Sequence, residues 1–374
     1  MDFRFNKEQE MLKKSARNFL KTRCDSTTIR EIEAGGDGAL RKLWKASAKL
    51  DWMSILIPED YEGVGWGIID QAVLCEEFGR AAMPGPILPN ITGTWLLISG
   101  GTDQQKQQIL PDIGAGKRIL TTAFDEKGAF YDPKFNVLEA KKTETGYQLN
   151  GTKLFVPYAE LADYLIVSAR TSGTVGEKNG ITLFIVDAKS KEIQLTPLVT
   201  MSGEKQYQVD FNEVFVKAID IIGDVDNGYP LVAACLEKTT ALQCVEMVGG
   251  AQKELDITAD YLKTREQFGK PLGTFQAVQH RLADMYIDVQ GARWISYQAI
   301  WQLSEGMDAG QAVSIAKVFT NKAAQRVAFS AQQLHGGMGL DMEYDLQIYY
   351  RRAKCFELKL GTSDFHLDRI EQVL

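Results

Sequence analysis

The hydrophobic positions of the chain follow a helical period towards both ends and a strand-like pattern in the middle. From residue 7 to about residue 116, apolar residues recur at intervals of three and four. Between about residues 119 and 222, short β-branched and aromatic runs alternate with turn residues, and we expect one turn at Asn150-Gly151. The helical period then returns. Because helices and strands do not alternate as a parallel sheet requires, a Rossmann fold is disfavoured.

Long helices are predicted for the carboxyl-terminal part. The first has an apolar face that includes Leu242 and Leu262, and we expect it to end at Gly269, just before Pro271. Two more are expected at about 275–305 and 311–334. The sequence therefore predicts a mainly α protein with a β domain. Its expected parts are an amino-terminal helical domain (1–118), a β-sandwich or barrel (119–225) and a carboxyl-terminal helical bundle (226–374).

Composition narrows the classes of function. The 374 residues carry 42 basic and 49 acidic side chains, a net charge of -7, without a long basic run, so nucleic acid is not an expected partner. No apolar run is long enough to span a membrane, and the amino terminus resembles an amphipathic helix rather than a signal peptide, which predicts a cytoplasmic protein. Five scattered cysteines and three histidines suggest neither a disulfide framework nor a metal site. We therefore expect an organic cofactor.

The strongest chemical signal is the segment TREQFGKPL at residues 264–272. Its arginine, amide and aromatic ring (Arg265, Gln267 and Phe268) supply what a diphosphate and a flat heterocycle require, namely paired donors and an apolar surface. A solvated helix end that turns on a glycine is the simpler explanation of the segment when it is taken alone.

The second signal is the segment QLHGGMG at residues 333–339, where glycines after a long helix let a ligand or another backbone approach closely. A flexible helix-ending loop would explain this segment equally. Within it, His335 could approach a bound dinucleotide or be satisfied by the backbone, and the pattern leaves both alternatives open.

In order and spacing, these two motifs resemble the acyl-CoA dehydrogenase family. The resemblance covers nearly the whole chain, including PEDYEGVG at 58–65 and NGTK at 150–153. It implies an α-helical domain, a β-sandwich or barrel and a four-helix carboxyl-terminal domain. It also implies a homo- or hetero-tetramer with FAD between the β domain of one subunit and the carboxyl-terminal domain of its neighbour. The implied activity is α,β-dehydrogenation of an acyl-CoA thioester in lipid metabolism, with electron-transfer flavoprotein as acceptor.

The resemblance also assigns cofactor-binding residues. Arg265 and Phe268, with Gln267 between them, and Gln333, Gly336 and Gly337 match the family's contacts to the diphosphate and adenine side of the FAD held by the adjoining subunit.

The groups that a subunit offers to its own flavin depart from the family pattern. The loop that begins at Asp125 replaces T-E-P-G-x-G-S, and Phe155-Val156-Pro157 replaces W-I-T, so the aromatic ring is kept but proline offers no donor. Thr362 matches a cofactor contact only weakly.

The family's catalytic base is missing from its usual place. A thioester α-hydrogen is a very weak acid, so the reaction depends on a positioned carboxylate. Leu360 stands where the family has the glutamate of Y-E-G-T-S, and the other known position of the base falls on Thr239 and Thr240, whose hydroxyls are not basic near neutral pH. Glu246 lies in an otherwise apolar stretch, where we expect burial to raise its pKa. It is either an unorthodox base or a structural hydrogen-bonding residue.

Three functional hypotheses follow. In the favoured one, the chain is the subunit that completes the FAD site of a heteromeric enzyme, since half of the pockets in a mixed tetramer need not be catalytic. In the second, a homotetramer uses Glu246 as its base. In the third, the chain is a CoA-ester-binding member that has lost the reaction. The identity of the acyl group is not encoded in a readable pattern.

Overall fold

The computed structural model describes residues 4–129 and 131–372. These residues form two compact units. The first contains residues up to Glu31, Ile68–Met83 and the chain from Thr240 onward, and the second contains Ile32–Gly67 and Pro84–Thr239. Each unit has its own hydrophobic core.

The amino-terminal helices occupy the region for which a helical period was predicted. They are α1 (Lys7–Arg23), α2 (Ser26–Glu33), α3 (Asp37–Ala48), α4 (Ile68–Arg80), α5 (Ile87–Gly100) and α6 (Asp103–Gly114). Helix α1 begins with a capping box, in which Asn6 and Gln9 satisfy each other's backbone N–H groups, and it buries Ala16 and Leu20. The predicted amphipathic amino-terminal helix is therefore present from Lys7.

The second unit is built around an eight-stranded sheet. Its strands are β1 (Leu120–Ala123), β2 (Glu139–Lys142), β3 (Gly146–Pro157), β4 (Tyr164–Arg170), β5 (Ile181–Asp187), β6 (Ile193–Leu198), β7 (Gln206–Lys217) and β8 (Ile221–Ile222). The order is β6-β7-β3-β2-β4-β5-β8, and β1 pairs in parallel with β4. The strands enclose a core of aliphatic and aromatic side chains such as Leu149, Phe184 and Phe211.

The prediction of a turn at Asn150-Gly151 is wrong. Both residues lie inside β3, where the pairing with β7 shifts register between Leu149 and Gly151. Gly151 has φ +139, a conformation that glycine adopts without steric cost, so the pair forms a β-bulge instead of a hairpin turn. The hairpin between β2 and β3 turns at residues 143–145.

The first unit is helical and contains most of six helices from the carboxyl-terminal part of the described chain. These are α7 (Tyr229–Thr264), α8 (Gln276–Ser304), α9 (Gly310–His335), α10 (Gly337–Leu340), α11 (Leu346–Leu358) and α12 (Ser363–Glu371), of which α7 starts in the other unit. Helices α4 and α7 approach so closely that a Cβ at Gly79 would lie 1.8 Å from the Glu246 carbonyl oxygen, and one at Gly249 would lie 1.9 Å from that of Glu76. Glycine is therefore required at both crossings.

Helix α7 ends at Thr264, five residues before the predicted end at Gly269. The next residues form a short hairpin of β9 (Glu266–Gln267) and β10 (Lys270–Pro271). Phe268 and Gly269, at its tip, both have positive φ, +56 and +79, as a two-residue type I′ turn requires. The predicted helices at about 275–305 and 311–334 are confirmed as α8 and α9. None of the helices in the described part of the chain is both long and apolar enough to cross a membrane.

Candidate functional site

The first group of predicted site residues lies on the hairpin that follows α7. The Arg265 backbone N–H donates to the Tyr261 carbonyl at 2.8 Å, which fixes the start of the hairpin to the last turn of α7. Arg265 and Gln267 are exposed, and Phe268 is 89% exposed. A large aromatic side chain held outward by a tight turn is costly to leave in water, so this hairpin presents a surface for an occupant.

The second group lies at the end of α9. Gly336 ends this helix with φ +59 and ψ -135, a conformation that favours glycine. Apart from adjacent residues and their own helix backbone, no described atom lies within 4 Å of the place where a Cβ on Gly336 or Gly337 would stand. A Cβ on Gly339, by contrast, would lie 2.5 Å from Gln332 Nε2. The first two glycines therefore border open space, and the third is packed. Gln333 is exposed beside them.

The structure brings these two groups together within one unit. The rings of Tyr261 and His335 stack with centroids 4.4 Å apart and planes at 26°. Tyr261 is one turn before Arg265, and His335 directly precedes Gly336, so the hairpin and the glycine turn are neighbours. His335 is 3% exposed and its Nδ1 lies 2.8 Å from the Ala331 carbonyl oxygen. Of the two alternatives for this histidine, satisfaction by the backbone is the one observed.

In the second unit, Asp125 and Phe155 are adjacent. The Leu154 N–H donates to the Asp125 carbonyl at 2.8 Å, and both Asp125 and Phe155 are exposed, Phe155 to 55%. Phe155 has φ +53, which is unusual for an aromatic residue and coincides with a register shift in β3 between Lys153 and Val156. The bulge turns this ring outward. Phe130, in the loop after Asp125, lies outside the described residues.

A buried ion pair anchors this corner of the β unit. Lys153 and Glu126 are 0% and 8% exposed, and Lys153 Nζ lies 2.6 Å from Glu126 Oε1. Burial lowers the pKa of Lys153, and the neighbouring Glu126 opposes that shift. Glu126 also accepts from the Val137 and Leu138 N–H groups. This pair was not predicted from the sequence, although a lysine within an apolar strand segment is a signal for it.

Leu360 lies in a tight connection between α11 and α12. It has φ +55, and its carbonyl oxygen lies 2.8 Å from Nε2 of His366. The His366 ring is buried, and its Nδ1 lies 3.2 Å from Ser314 Oγ. Burial lowers the pKa of His366 to about 4, so the imidazole is neutral at neutral pH and Nε2 can donate to Leu360 as the N–H tautomer. Thr362 caps α12 by accepting from the Phe365 N–H at 3.3 Å. Residues 359–362, which form this connection in the described structure, include no carboxylate.

Lys317 supports the same region from inside the helical unit. Its Nζ donates to the Phe356 carbonyl at 2.7 Å and to Gln243 Oε1 at 2.6 Å. Complete burial lowers its pKa to about 8. The end of α11, and with it the position of Leu360, is therefore fixed by a buried cation. No pattern in the sequence predicts this contact.

Glu246 lines a small pocket of about 360 Å³, including its open mouth, within the helical unit. The pocket is lined by small and apolar residues together with Tyr349, Arg352 and a second carboxylate, Glu254. Glu246 is half-buried, and its proximity adds to the burial that raises the pKa of Cys75. Glu254 is 1% exposed, and its Oε1 has no hydrogen-bond partner among the described residues. Burial raises the pKa of Glu254 well above its ordinary value.

Thr239 does not compensate for the missing carboxylate. It is buried in the second unit, where its hydroxyl lies 2.6 Å from that of Thr92 and donates to the Cys235 carbonyl at 2.8 Å.

In the described part of the chain, no group of three or more His, Cys, Asp or Glu side chains is arranged to hold a metal ion.

Known proteins with a similar sequence or fold identify the group to which the chain is related. The amino-terminal, middle and carboxyl-terminal domains of acyl-CoA dehydrogenases match residues 6–117, 121–217 and 226–374. Isovaleryl-CoA dehydrogenase, mitochondrial, from Solanum tuberosum is 31% identical over 86% of this chain and 79% of its own. Caffeyl-CoA reductase-Etf complex subunit CarC from Acetobacterium woodii is 29% identical over 96% of both chains. The solved structure of a Tcur3481-Tcur3483 steroid ACAD variant has a TM-score of 0.88 and 30% identity over 98% of this chain and 97% of that chain.

The match to these three domains in this order places the chain among the flavin-dependent oxidoreductases. The chain belongs to the acyl-CoA dehydrogenase family. Its cofactor is FAD, on which the members of this family depend. The family, fold class and cofactor expected from the sequence are therefore confirmed.

The described residues are compatible with a dinucleotide. Open space at Gly336 and Gly337 allows close approach of a diphosphate to the backbone. Arg265 carries paired donors one turn after Tyr261, whose ring stacks on His335 next to the glycine turn, and Phe268 offers an unburied ring. Because the chain has a net charge of -7, binding of an anion depends on local positive groups such as Arg265.

Proposed function

We propose that the chain takes part in FAD-dependent α,β-dehydrogenation of an acyl-CoA thioester as the subunit that completes the FAD site of a heteromeric enzyme. The observation that supports this most directly is Leu360. The connection that carries it is held firmly by His366, yet it offers an aliphatic side chain where the reaction needs a carboxylate. Meanwhile Arg265 and the glycine turn keep the chemistry that a nucleotide requires.

The proposed roles follow from the chemistry of each group. Arg265 would bind the FAD diphosphate with its donor fork, and the backbone at Gly336 and Gly337 would lie against the same phosphates. Phe268 and Gln267 would cover the adenine side, with Gln333 as a further polar contact. On the β unit, Asp125 and Phe155 would border the flavin of a different FAD, the one held by this subunit itself, and Thr362 would contribute only weakly. When bound, FAD accepts the hydrogen that leaves the acyl β-carbon.

The proposed partners are an acyl-CoA, electron-transfer flavoprotein as electron acceptor and further subunits of a tetramer. CarC is by its printed name a subunit of a caffeyl-CoA reductase-Etf complex, which supports the proposed acceptor. Oligomerisation is supported by large apolar side chains left exposed on α8 and α9. These include Tyr286, Ile287, Trp294, Phe319 and Phe329. The domain boundaries at 118–119 and 225–226 and a cytoplasmic location remain our predictions.

The test is to produce the chain alone and together with the products of neighbouring genes that belong to the same family. We expect the lone chain to show little ferrocenium-coupled oxidation of acyl-CoA thioesters and the assembled protein to show flavin absorbance and activity. Full activity of the lone chain would contradict the heteromeric proposal. Stoichiometric binding of a CoA ester without flavin would instead indicate a member that has lost the reaction.

A homotetramer with Glu246 as base is the second candidate, because Glu246 is a half-buried carboxylate that borders a pocket in the helical unit. In that case Glu246→Gln should abolish turnover of the lone chain while the bound flavin remains. Glu305→Gln, an exposed site at the end of α8, provides the matched control. Unchanged turnover in Glu246→Gln would exclude this candidate.

A further inference from the structure

His335 connects the two elements that we assign to the FAD diphosphate. It is the last residue of α9 and lies between two tyrosines, with ring centroids 4.4 Å from Tyr261 and 5.3 Å from Tyr344. Tyr261 belongs to α7, and Tyr344 lies between α10 and α11. One buried imidazole therefore contacts both the helix that leads to Arg265 and the segment that follows the glycine turn.

The imidazole is held in one orientation. A carbonyl oxygen can only accept, so Nδ1 carries the proton that is donated to Ala331 at 2.8 Å. Nε2 is buried and has no hydrogen-bond partner among the described residues. Protonating it would place an unsatisfied cation in an aromatic environment, and burial accordingly lowers the pKa of His335. The neutral ring is thus suited to stacking rather than to contact with a phosphate.

The glycine turn is fixed on its inner side and open on its outer side. Gly339 packs on Gln332 and His335, and its carbonyl accepts from Gln347 Nε2. Gly336 and Gly337 border open space. The inner contacts therefore shape the backbone that would face a ligand, without touching the ligand themselves.

We propose that His335 is a positioning residue for FAD, which holds the glycine turn at a fixed spacing from Arg265 before the cofactor arrives. This inference rests on the proposed function of the two elements. The carbonyl of Tyr261 accepts from the Arg265 N–H at 2.8 Å, and the ring of Tyr261 stacks on His335, so this ring contact links the two elements directly. The core that α7 and α9 share, with Leu255 and Ala331, holds the helices together but does not reach the glycine turn. A site whose groups are already in place loses less conformational freedom on binding.

The test is a double-mutant cycle on FAD affinity in the assembled protein. The variants are His335→Leu, Tyr261→Leu and the double variant, and the FAD dissociation constant is measured by flavin fluorescence well below the unfolding temperature. We expect each single variant to bind FAD about tenfold more weakly, and the double variant to lose little more, because both changes remove one contact. Hydrogen exchange at residues 336–345 should rise in all three.

Tyr297→Leu is the matched control, since it also removes a buried ring contact of the helical unit, with Phe5 at 5.4 Å, but does not touch the glycine turn. It should lower the unfolding temperature and keep FAD affinity. Equal FAD affinity in wild type and His335→Leu, or losses that simply add in the double variant, would overturn the positioning role. If the wild-type assembly itself binds no FAD, the proposed function fails and this inference with it.

Discussion

Glu254 offers the sharpest test of the energetics of the helical unit. The residue is 1% exposed, and its Oε1 has no hydrogen-bond partner among the described residues. Two substitutions separate the effects of charge and of polarity. Glu254→Gln keeps the shape but cannot ionise, and Glu254→Leu also removes the unpaired oxygen from a pocket that it shares with Met247 and Ala251.

The sign of the pH dependence follows from the shifted pKa. Burial raises the pKa of Glu254 well above its ordinary value of 4.5, so the folded chain keeps a proton that the unfolded chain releases. The stabilisation by this group is complete below the ordinary pKa. It is lost as pH rises from the ordinary pKa towards the raised pKa, by about 1.4 kcal/mol per pH unit. Glu254→Gln has no proton to lose. Its advantage over wild type should therefore grow with pH.

Glu254→Leu should be more stable still, because an unpaired buried oxygen costs about 1–3 kcal/mol. The assay is thermal unfolding with saturating FAD at about pH 5.5 and about pH 8.5, where 1 kcal/mol corresponds to about 2–4 °C. Glu305→Gln removes an exposed charge and should shift neither temperature. Two results would refute the reasoning. One is the same difference in unfolding temperature between Glu254→Gln and wild type at both pH values, and the other is a lower unfolding temperature of Glu254→Gln at the higher pH.

Three further changes test other parts of the chain. Arg265→Ala should weaken FAD binding about ten- to hundredfold, because it removes a charge-assisted contact to phosphate. Lys263→Ala, at an exposed position, should leave FAD binding unchanged. Equal FAD dissociation constants for wild type and Arg265→Ala, measured by fluorescence titration, would exclude the assigned role. Lys153→Met should lower the free energy of unfolding by about 3–5 kcal/mol, because Glu126 would stay buried without its partner. An unchanged midpoint of denaturant unfolding in this variant would contradict the buried pair. Leu360→Glu should give the chain ferrocenium-coupled activity that Leu360→Gln lacks. The left-handed backbone at this residue, φ +55, suits a glutamate no worse than a leucine. A glutamate variant that binds FAD but shows no activity would indicate that more than the base is missing.

Local patterns in the sequence were sufficient for the order of elements and for the family. Apolar periodicity located α8 and α9 to within one residue because their packed faces repeat with the pitch of the helix. The motifs around Arg265 and Gly336 carried the resemblance because their residue types are tied to one chemistry. The substitution at Leu360 could also be recognised without any coordinates.

Only tertiary structure decided how individual residues are used. Asn150-Gly151 has the composition of a turn, but the long pairing of β3 with β7 incorporates it as a bulge. His366 lies between two aspartates in the sequence, Asp364 and Asp368, yet it is buried, because neighbouring helices and the carbonyl of Leu360 enclose it. The contact of Tyr261 with His335, and the burial of Glu254, join residues from different elements. Sequence periodicity specifies which face of a helix is apolar, whereas packing alone determines which neighbour meets that face and which polar group is left without a partner.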